Sequence, residues 1–283
     1  MDNATLSGVL DLLGTRELRP HKGLGQNFLI DKNILQNIVS AAGITGDDVV
    51  LEIGSGLGAL TLFLADVASR VITVEIDKKL IPILRDIFAE RPNITLLPGD
   101  VLEFDWEHDF IRFLNDPRDR LVICANLPYY ITSPIIFKIL ENRHRVRQAV
   151  LMVQQEVAER LVAAPGTRDY SLLTVMVARL AEVQMVTRVS RRCFYPSPDV
   201  DSAVIRLIPY IAPRVGVESE EVFNRLVRAI FQSRRKTLLN SLVNNGLIGR
   251  DTAIRVLESL GIDPRRRGET LSVEEIARIA NKL

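Results

Sequence analysis

Cysteine and histidine are scarce in this chain of 283 residues, which has two cysteines, Cys124 and Cys193, and three histidines, His21, His108 and His144. The cysteines form no close-spaced pair and the histidines lie far apart, which argues against a zinc motif or a disulfide framework and implies no bound metal. A reducing compartment follows. No apolar run approaches the length of a bilayer span, and residues 1–20 lack the basic start and apolar core of a secretory signal. The expectation is a cytoplasmic protein that does not touch a membrane. Excess charge is missing too: 36 Lys and Arg against 35 Asp and Glu leave a formal charge of +1. Any nucleic-acid contact must therefore come from a local basic face. There is no internal repeat and no low-complexity tract. Composition is that of a soluble globular protein, 47% hydrophobic and 25% charged, and the length suits one large domain or two.

What the chain does have is a series of short polar motifs at the ends of apolar runs. The apolar run 121–125 leads into Asn126-Leu127-Pro128-Tyr129, and a helix-like stretch follows to about residue 142. Beyond the carboxyl end of a parallel strand, such groups face a ligand crevice. An Asn carboxamide and a carbonyl beside a proline can accept hydrogen bonds from an exocyclic amine, and a Tyr ring can stack on a base. The same residues also make an ordinary turn. Earlier, the buried-strand pattern 49–53 runs into Gly54-Ser55-Gly56-Leu57-Gly58 and then a helical stretch, 60–65. Glycines let the backbone turn tightly against a ligand, and the helix N-terminus offers free amide donors. The next strand, 71–74, ends in Glu75, at the usual spacing for an acid on ribose hydroxyls. The glycines fit both a dinucleotide site and a site for S-adenosylmethionine. A third strand, 94–97, leads to Gly99-Asp100, where the acid can accept from an adenine amine.

Around this frame, residues 9–13 read as one apolar helical turn, and 16–24 as a basic arm. Asp31 is placed to cap a helix whose apolar positions are Ile34, Leu35, Ile38 and Val39. Phe104, Trp106, Phe110 and Phe113 sit among acids, as in a loop and short helix covering the sheet, within 101–119. A fifth strand near 149–153, helices over 154–163 and 171–181, and closing strands over 183–189 and 200–207 complete the first domain. Between those strands, Pro196 and Pro198 make an extended loop that presents Phe194. Beyond residue 210 the pattern is helical, with apolar faces over 222–231, 238–243, 254–260 and 273–279. Its clusters Arg234-Arg235-Lys236 and Arg265-Arg266-Arg267 can meet a phosphate backbone, or can be a solvated helix face.

Taken together, Gly-Gln-Asn-Phe-Leu (25–29), Glu-Ile-Gly-Ser-Gly-Leu-Gly (52–58), Glu75, Gly99-Asp100, Asn126 to Tyr129 and Phe-Tyr-Pro-Ser-Pro-Asp-Val-Asp-Ser (194–202) resemble one family. It is the KsgA/RsmA small-subunit (16S) rRNA adenine N6-dimethyltransferases, and the resemblance covers the whole chain. It implies an α/β, Rossmann-like S-adenosylmethionine-dependent domain over 1–210, with an arm over 1–30, and a small all-helical rRNA-recognition domain over 211–283. It implies S-adenosylmethionine held by Asn27, Leu29, Gly54, Gly56, Glu75, Asp100 and Asn126. Asn126 and Leu127 would act on the target amine, the target adenine would stack between Tyr129 and Phe194, and Arg234, Arg235 and Lys236 would touch RNA. The partner would be rRNA in an assembling small subunit, and the protein a monomer. Two positions depart from the family: Ser55 replaces a common proline, and Tyr130 adds a second tyrosine, so which ring stacks stays open. Three other readings compete. They are a nicotinamide-dependent oxidoreductase, a large-subunit rRNA methyltransferase of the antibiotic-resistance type, and a non-catalytic assembly or transcription factor on the same fold.

Overall fold

A computed structural model describes residues 3–114, 116 and 118–283. Its elements in chain order are α1 (Leu6–Thr15), β1 (Phe28–Leu29), α2 (Lys32–Ala42), β2 (Val49–Ile53), α3 (Ala59–Ala65), β3 (Arg70–Glu75) and α4 (Ile81–Phe88). There follow β4 (Ile94–Pro98), α5 (Trp106–Asp109), β5 (Leu121–Asn126), α6 (Thr132–Glu141), β6 (Val146–Gln154), α7 (Gln155–Leu161) and α8 (Leu172–Leu180). The last are β7 (Ala181–Val189), β8 (Phe194–Tyr195), β9 (Ser202–Pro209), α9 (Glu220–Gln232), α10 (Leu238–Asn244), α11 (Arg250–Ser259) and α12 (Val273–Ala280).

The main sheet has the order β4-β3-β2-β5-β6-β9-β7, with β2 to β6 mutually parallel and β9 antiparallel to β6. The strand order reverses at β2, which has β3 on one side and β5 on the other. That is the switch point at which an open parallel sheet leaves a crevice beyond its strand ends. β2 is buried along its whole length and β5 up to its last residue, as expected of central strands covered on both faces. Glu52 is the exception in an otherwise apolar strand.

Local chemistry accounts for most element ends. The Asp31 carboxylate accepts from the backbone N–H groups of Asn33 and Ile34, so it caps α2 as expected, and Leu35 and Ile38 bury the helix against the sheet. α1 is longer than the single turn expected, starting at the Thr5 cap and burying Val9, Leu12 and Leu13 with Phe28, Leu57 and Leu84. α4 has no counterpart in the sequence reading. Its Pro82 lies in the first turn, where a missing N–H costs no intrahelical bond, and Ile83, Leu84 and Phe88 form its buried face. The aromatics after β4 form a short helix and a packed group as expected: Trp106 and Phe110 are buried, and the Phe104 and Phe110 rings stack at 5.4 Å. Asn115 and Pro117 of that stretch, and Met1 and Asp2 of the arm, lie outside the described residues.

The chain forms two compact units, Met1–Ala158 with Val183–Ile211, and Glu159–Glu182 with Ala212–Leu283. The second unit therefore takes in residues 159–182, which the sequence reading placed in the first domain. The reason is burial at long range: the Tyr170 hydroxyl donates to the Leu271 carbonyl at 2.9 Å, and Val175 joins Phe223, Leu226 and Ile276 in one core. Arg179, 3% exposed, donates to both Glu220 carboxylate oxygens at 2.6 Å and to the Val215 carbonyl.

Candidate active site

The residues expected to bind a ligand converge on one cavity of about 120 Å³ at the switch point of the first unit. Asn27, Leu29, Gly54, Gly56, Glu75, Asp100, Asn126, Leu127, Tyr129 and Phe194 all line it. β2 ends at the floor and passes into the glycine turn, where Gly54, Gly56 and Gly58 have φ of +80°, +54° and +77°. Only glycine takes such a run of left-handed conformations without strain. At Gly54 an added Cβ would meet nothing within 4 Å, so the turn is open to a ligand there.

Glu75, at the end of β3, is 5% exposed; its Oε2 accepts from the Gly56 N–H at 2.9 Å and its Oε1 from the Asp77 N–H at 2.8 Å. Burial raises its pKa, and the two backbone donors oppose that rise. Each oxygen keeps a lone pair for a ligand hydroxyl. Asp100 Oδ1 accepts from the Leu102 N–H at 2.9 Å, and no hydrogen bond occupies its Oδ2 among the described residues.

Asn126, the last residue of β5, donates through Nδ2 to the Asn27 carbonyl at 3.1 Å. That bond orients the carboxamide, and no hydrogen bond occupies its Oδ1 among the described residues. The Leu127 N–H donates to the Met152 carbonyl at 3.2 Å, and among the described residues no turn or loop hydrogen bond occupies the Leu127 carbonyl, so consecutive residues at the end of β5 each keep an acceptor oxygen. The arm is held as well: Asn27 Nδ2 donates to the Gly25 carbonyl at 3.1 Å. Phe194 is not presented by a free extended loop. It pairs with Leu29, and Tyr195 with Phe28, in a two-stranded antiparallel sheet that ties the arm to the loop. Tyr129 is half-buried, and its hydroxyl lies 2.8 Å from the hydroxyl of Ser202, at the start of β9.

Three residues escaped the sequence reading of the site: Asn3 and Glu52 line the cavity, and Ser202 contacts the lining residue Tyr129. Asn3 donates to the Leu57 carbonyl at 2.5 Å from a segment with no local signal of a ligand site. Ser202 fixes a tyrosine 73 positions away. Glu52 stands in the sequence as no more than the start of the glycine motif, yet it is fully buried in the cavity wall. Its Oε2 accepts from the hydroxyls of Thr61 and Thr73, each at 2.6 Å, while its Oε1 is buried without a partner. Burial lifts its pKa from the ordinary 4.5 to about 7, against the pull of the two threonines. The folded protein thus holds a proton that the unfolded chain has lost between about pH 4.5 and 7, so stability falls as pH rises through that window. The fall should be on the order of 3 kcal/mol. Melting curves of Glu52→Gln should lack this slope, and a slope equal to wild type would refute the assignment.

The lining contains three carboxyl groups, Glu52, Glu75 and Asp100, and no Lys, Arg or His. With Glu52 holding its proton up to about pH 7, the negative charge comes chiefly from Glu75 and Asp100; it attracts a cationic ligand and repels a pyrophosphate, which disfavours the dinucleotide reading of the glycine turn. Among the described residues no group of three His, Cys, Asp or Glu side chains is placed to hold a metal ion, and no helix is long and apolar enough to cross a membrane.

In the helical unit the two basic clusters meet: the Leu238 N–H donates to the Arg266 carbonyl at 2.7 Å, and Thr237 bridges to Arg267. Their members differ in use. Arg234 is half-buried, donating to Glu269 at 2.7 Å and to the Arg168 carbonyl at 2.9 Å. Arg266 is likewise engaged, gripping both Glu275 carboxylate oxygens. Arg235 and Lys236 are exposed, and neither side chain has a hydrogen-bond or ion-pair partner among the described residues.

Residues 18–283 match the family model for ribosomal RNA adenine dimethylase. The chain is 48% identical to Ribosomal RNA small subunit methyltransferase A of Geobacillus thermodenitrificans, over 100% of this chain and 97% of the relative. It is 45% identical to the protein of that name in Pelotomaculum thermopropionicum, over 96% and 94%. Among solved structures it resembles a dimethyladenosine transferase from Plasmodium falciparum, with TM-score 0.74, 30% identity and 89% and 95% coverage. It also resembles the 23S rRNA methyltransferase ErmE, with TM-score 0.69, 30% identity and 91% and 99% coverage. By a match that spans nearly its full length, this chain belongs to the ribosomal RNA adenine dimethylase family.

Proposed function

We propose that this chain transfers methyl groups from S-adenosylmethionine to the N6 atoms of two adjacent adenosines in the 3′-terminal hairpin loop of small-subunit rRNA. The substrate is an assembling small subunit, and the enzyme works as a cytoplasmic monomer. The observation that carries this reading is the Asn126 carboxamide, whose Nδ2 is committed to the Asn27 carbonyl, leaving its oxygen to accept at the cavity that Leu127 also lines. An exocyclic amine that gives its two N–H groups to these acceptors becomes pyramidal, and its lone pair leaves the ring system. S-adenosylmethionine, when bound, supplies an electrophilic methyl on a cationic sulfonium, which suits a wall of carboxyl groups without a cation. Glu75 takes the ribose, Asp100 the cofactor adenine, and Tyr129 and Phe194 the target base. Holding both partners in line contributes about 7–11 kcal/mol in well-oriented systems, so no strong base is required. After transfer the nitrogen sheds its proton to water.

A base can reach this site only if it is unstacked, which is least costly in a loop. The higher identity to the small-subunit enzymes, 48% against 30% for ErmE, favours small-subunit over large-subunit rRNA. Incubation with labelled S-adenosylmethionine and unmethylated small subunits, followed by mapping of the modified nucleotides, decides the matter. Dimethyladenosine confined to large-subunit RNA would overturn the reading, and comparable rates on the bare hairpin would remove the assembled subunit from it.

The helical unit supplies the RNA contact through Arg235 and Lys236, beside Arg265 and Arg267. Replacing Arg235 and Lys236 with Ala should weaken subunit binding and flatten its salt dependence by roughly one unit of slope per lost phosphate contact. Arg234→Ala should instead lower the melting temperature, since it removes the bond to the Arg168 carbonyl and the nearer ion-pair partner of the Glu269 carboxylate, leaving that carboxylate with Arg267 at 4.0 Å. A salt slope unchanged in the double variant would return these residues to a solvated face.

A further inference from the structure

The proposed function gives Tyr129 a place and leaves Tyr130 without one. Tyr130 is 57% exposed yet lines the cavity. Its ring lies across Gly25, where an added Cβ would stand 3.6 Å from ring atom Cδ1 and 3.7 Å from Cε1. Gly25, with φ of +63°, ends a short helical turn, and its carbonyl accepts from Asn27. The ring thus lies at packing distance from this turn, where glycine is called for by the left-handed φ.

The two tyrosines have different neighbours. The Tyr129 hydroxyl meets Ser202, and the charge that acts on it is Asp201. The phenol of Tyr130 is pushed up in pKa by burial and by Asp100 and Glu75, the acids at the ends of β4 and β3. Ile76, next to Glu75, also lines the cavity and is 43% exposed. Two large apolar groups thus stand in water on the rim beside these acids. Covering them with a planar ligand removes apolar surface from water on both partners.

We propose that Tyr130 is a cofactor-covering residue: its ring, seated across Gly25, closes the outer wall over the adenosyl half of S-adenosylmethionine, leaving Tyr129 and Phe194 to the target adenine. The inference rests on the cofactor reading given above. Calorimetric titration of the full-length protein tests it, using S-adenosylhomocysteine and methylthioadenosine, which lacks the amino-acid tail. Tyr130→Ala should raise both dissociation constants by roughly tenfold, as loss of a ring stacked on a base does. Tyr130→Phe should restore them, because the ring and not the hydroxyl is used, and Tyr129→Ala should leave both near wild type. An unchanged dissociation constant in Tyr130→Ala, or an equal loss in Tyr129→Ala, overturns the inference while the cofactor reading stands. A wild-type protein that binds neither ligand overturns both.

Discussion

Replacing Asn126 with Ala is expected to cut methyl transfer to small subunits by about 10²- to 10³-fold, the scale seen when one preorganised polar contact to a transition state is removed. Affinity for the subunit should stay close to wild type, because the carboxamide oxygen acts on one amine of a large interface. The structure adds a second consequence. Asn126 Nδ2 also anchors the Asn27 carbonyl, so the variant loosens the arm that borders the cofactor site. Asn126→Asp separates the two roles: it keeps an acceptor oxygen but sets a second one against the Asn27 carbonyl. It should therefore weaken S-adenosylhomocysteine binding more than Asn126→Ala does. Single-turnover rates and calorimetry on both variants provide the check. Equal losses of rate and subunit affinity would make Asn126 a binding residue only.

Glu75→Ala should weaken cofactor binding by about 10²-fold or more, since hydrogen bonds to a charged group contribute roughly 1.5–3 kcal/mol each and the ribose offers two. The carboxylate also holds the Gly56 and Asp77 N–H groups, so its loss frees the glycine turn as well as the ribose. Glu75→Gln is an incomplete rescue, because its amide would turn a donor toward one of those two donors. Its affinity should fall between wild type and Ala. Because Glu75 is buried at a desolvation cost, the Ala variant should remain folded, and circular dichroism with a melting curve confirms that state. Affinity unchanged in a folded Glu75→Ala protein would remove this residue from the site.

Much of this was legible in residue order. The strand pattern 49–53, the glycine turn and Glu75 are read from neighbours, because period, cap and left-handed turn are local properties. Asn126 to Tyr129 also stood out, since an apolar run that ends in amide, proline and ring is visible in one glance along the chain. The Asp31 cap held for the same reason. α4 was missed because Pro82 interrupts the local pattern at a place where a helix tolerates it.

Residue order was enough for most of the elements and for the motifs of the site, α4, Asn3 and Glu52 excepted. Which of those groups face one another follows from packing between distant segments. The reversal of strand order at β2 puts Gly54 and Asn126 at one crevice, and the pairing of residues 28–29 with 194–195 joins the arm to the loop that carries Phe194. The same long-range packing sends Tyr129 to Ser202 and lays Tyr130 across Gly25, commits Arg234 to Glu269, and buries Glu52 with one oxygen unpartnered. Adjacent residues with the same side chain acquire different roles because a role depends on neighbours in space, and those come from contacts between segments far apart in the chain.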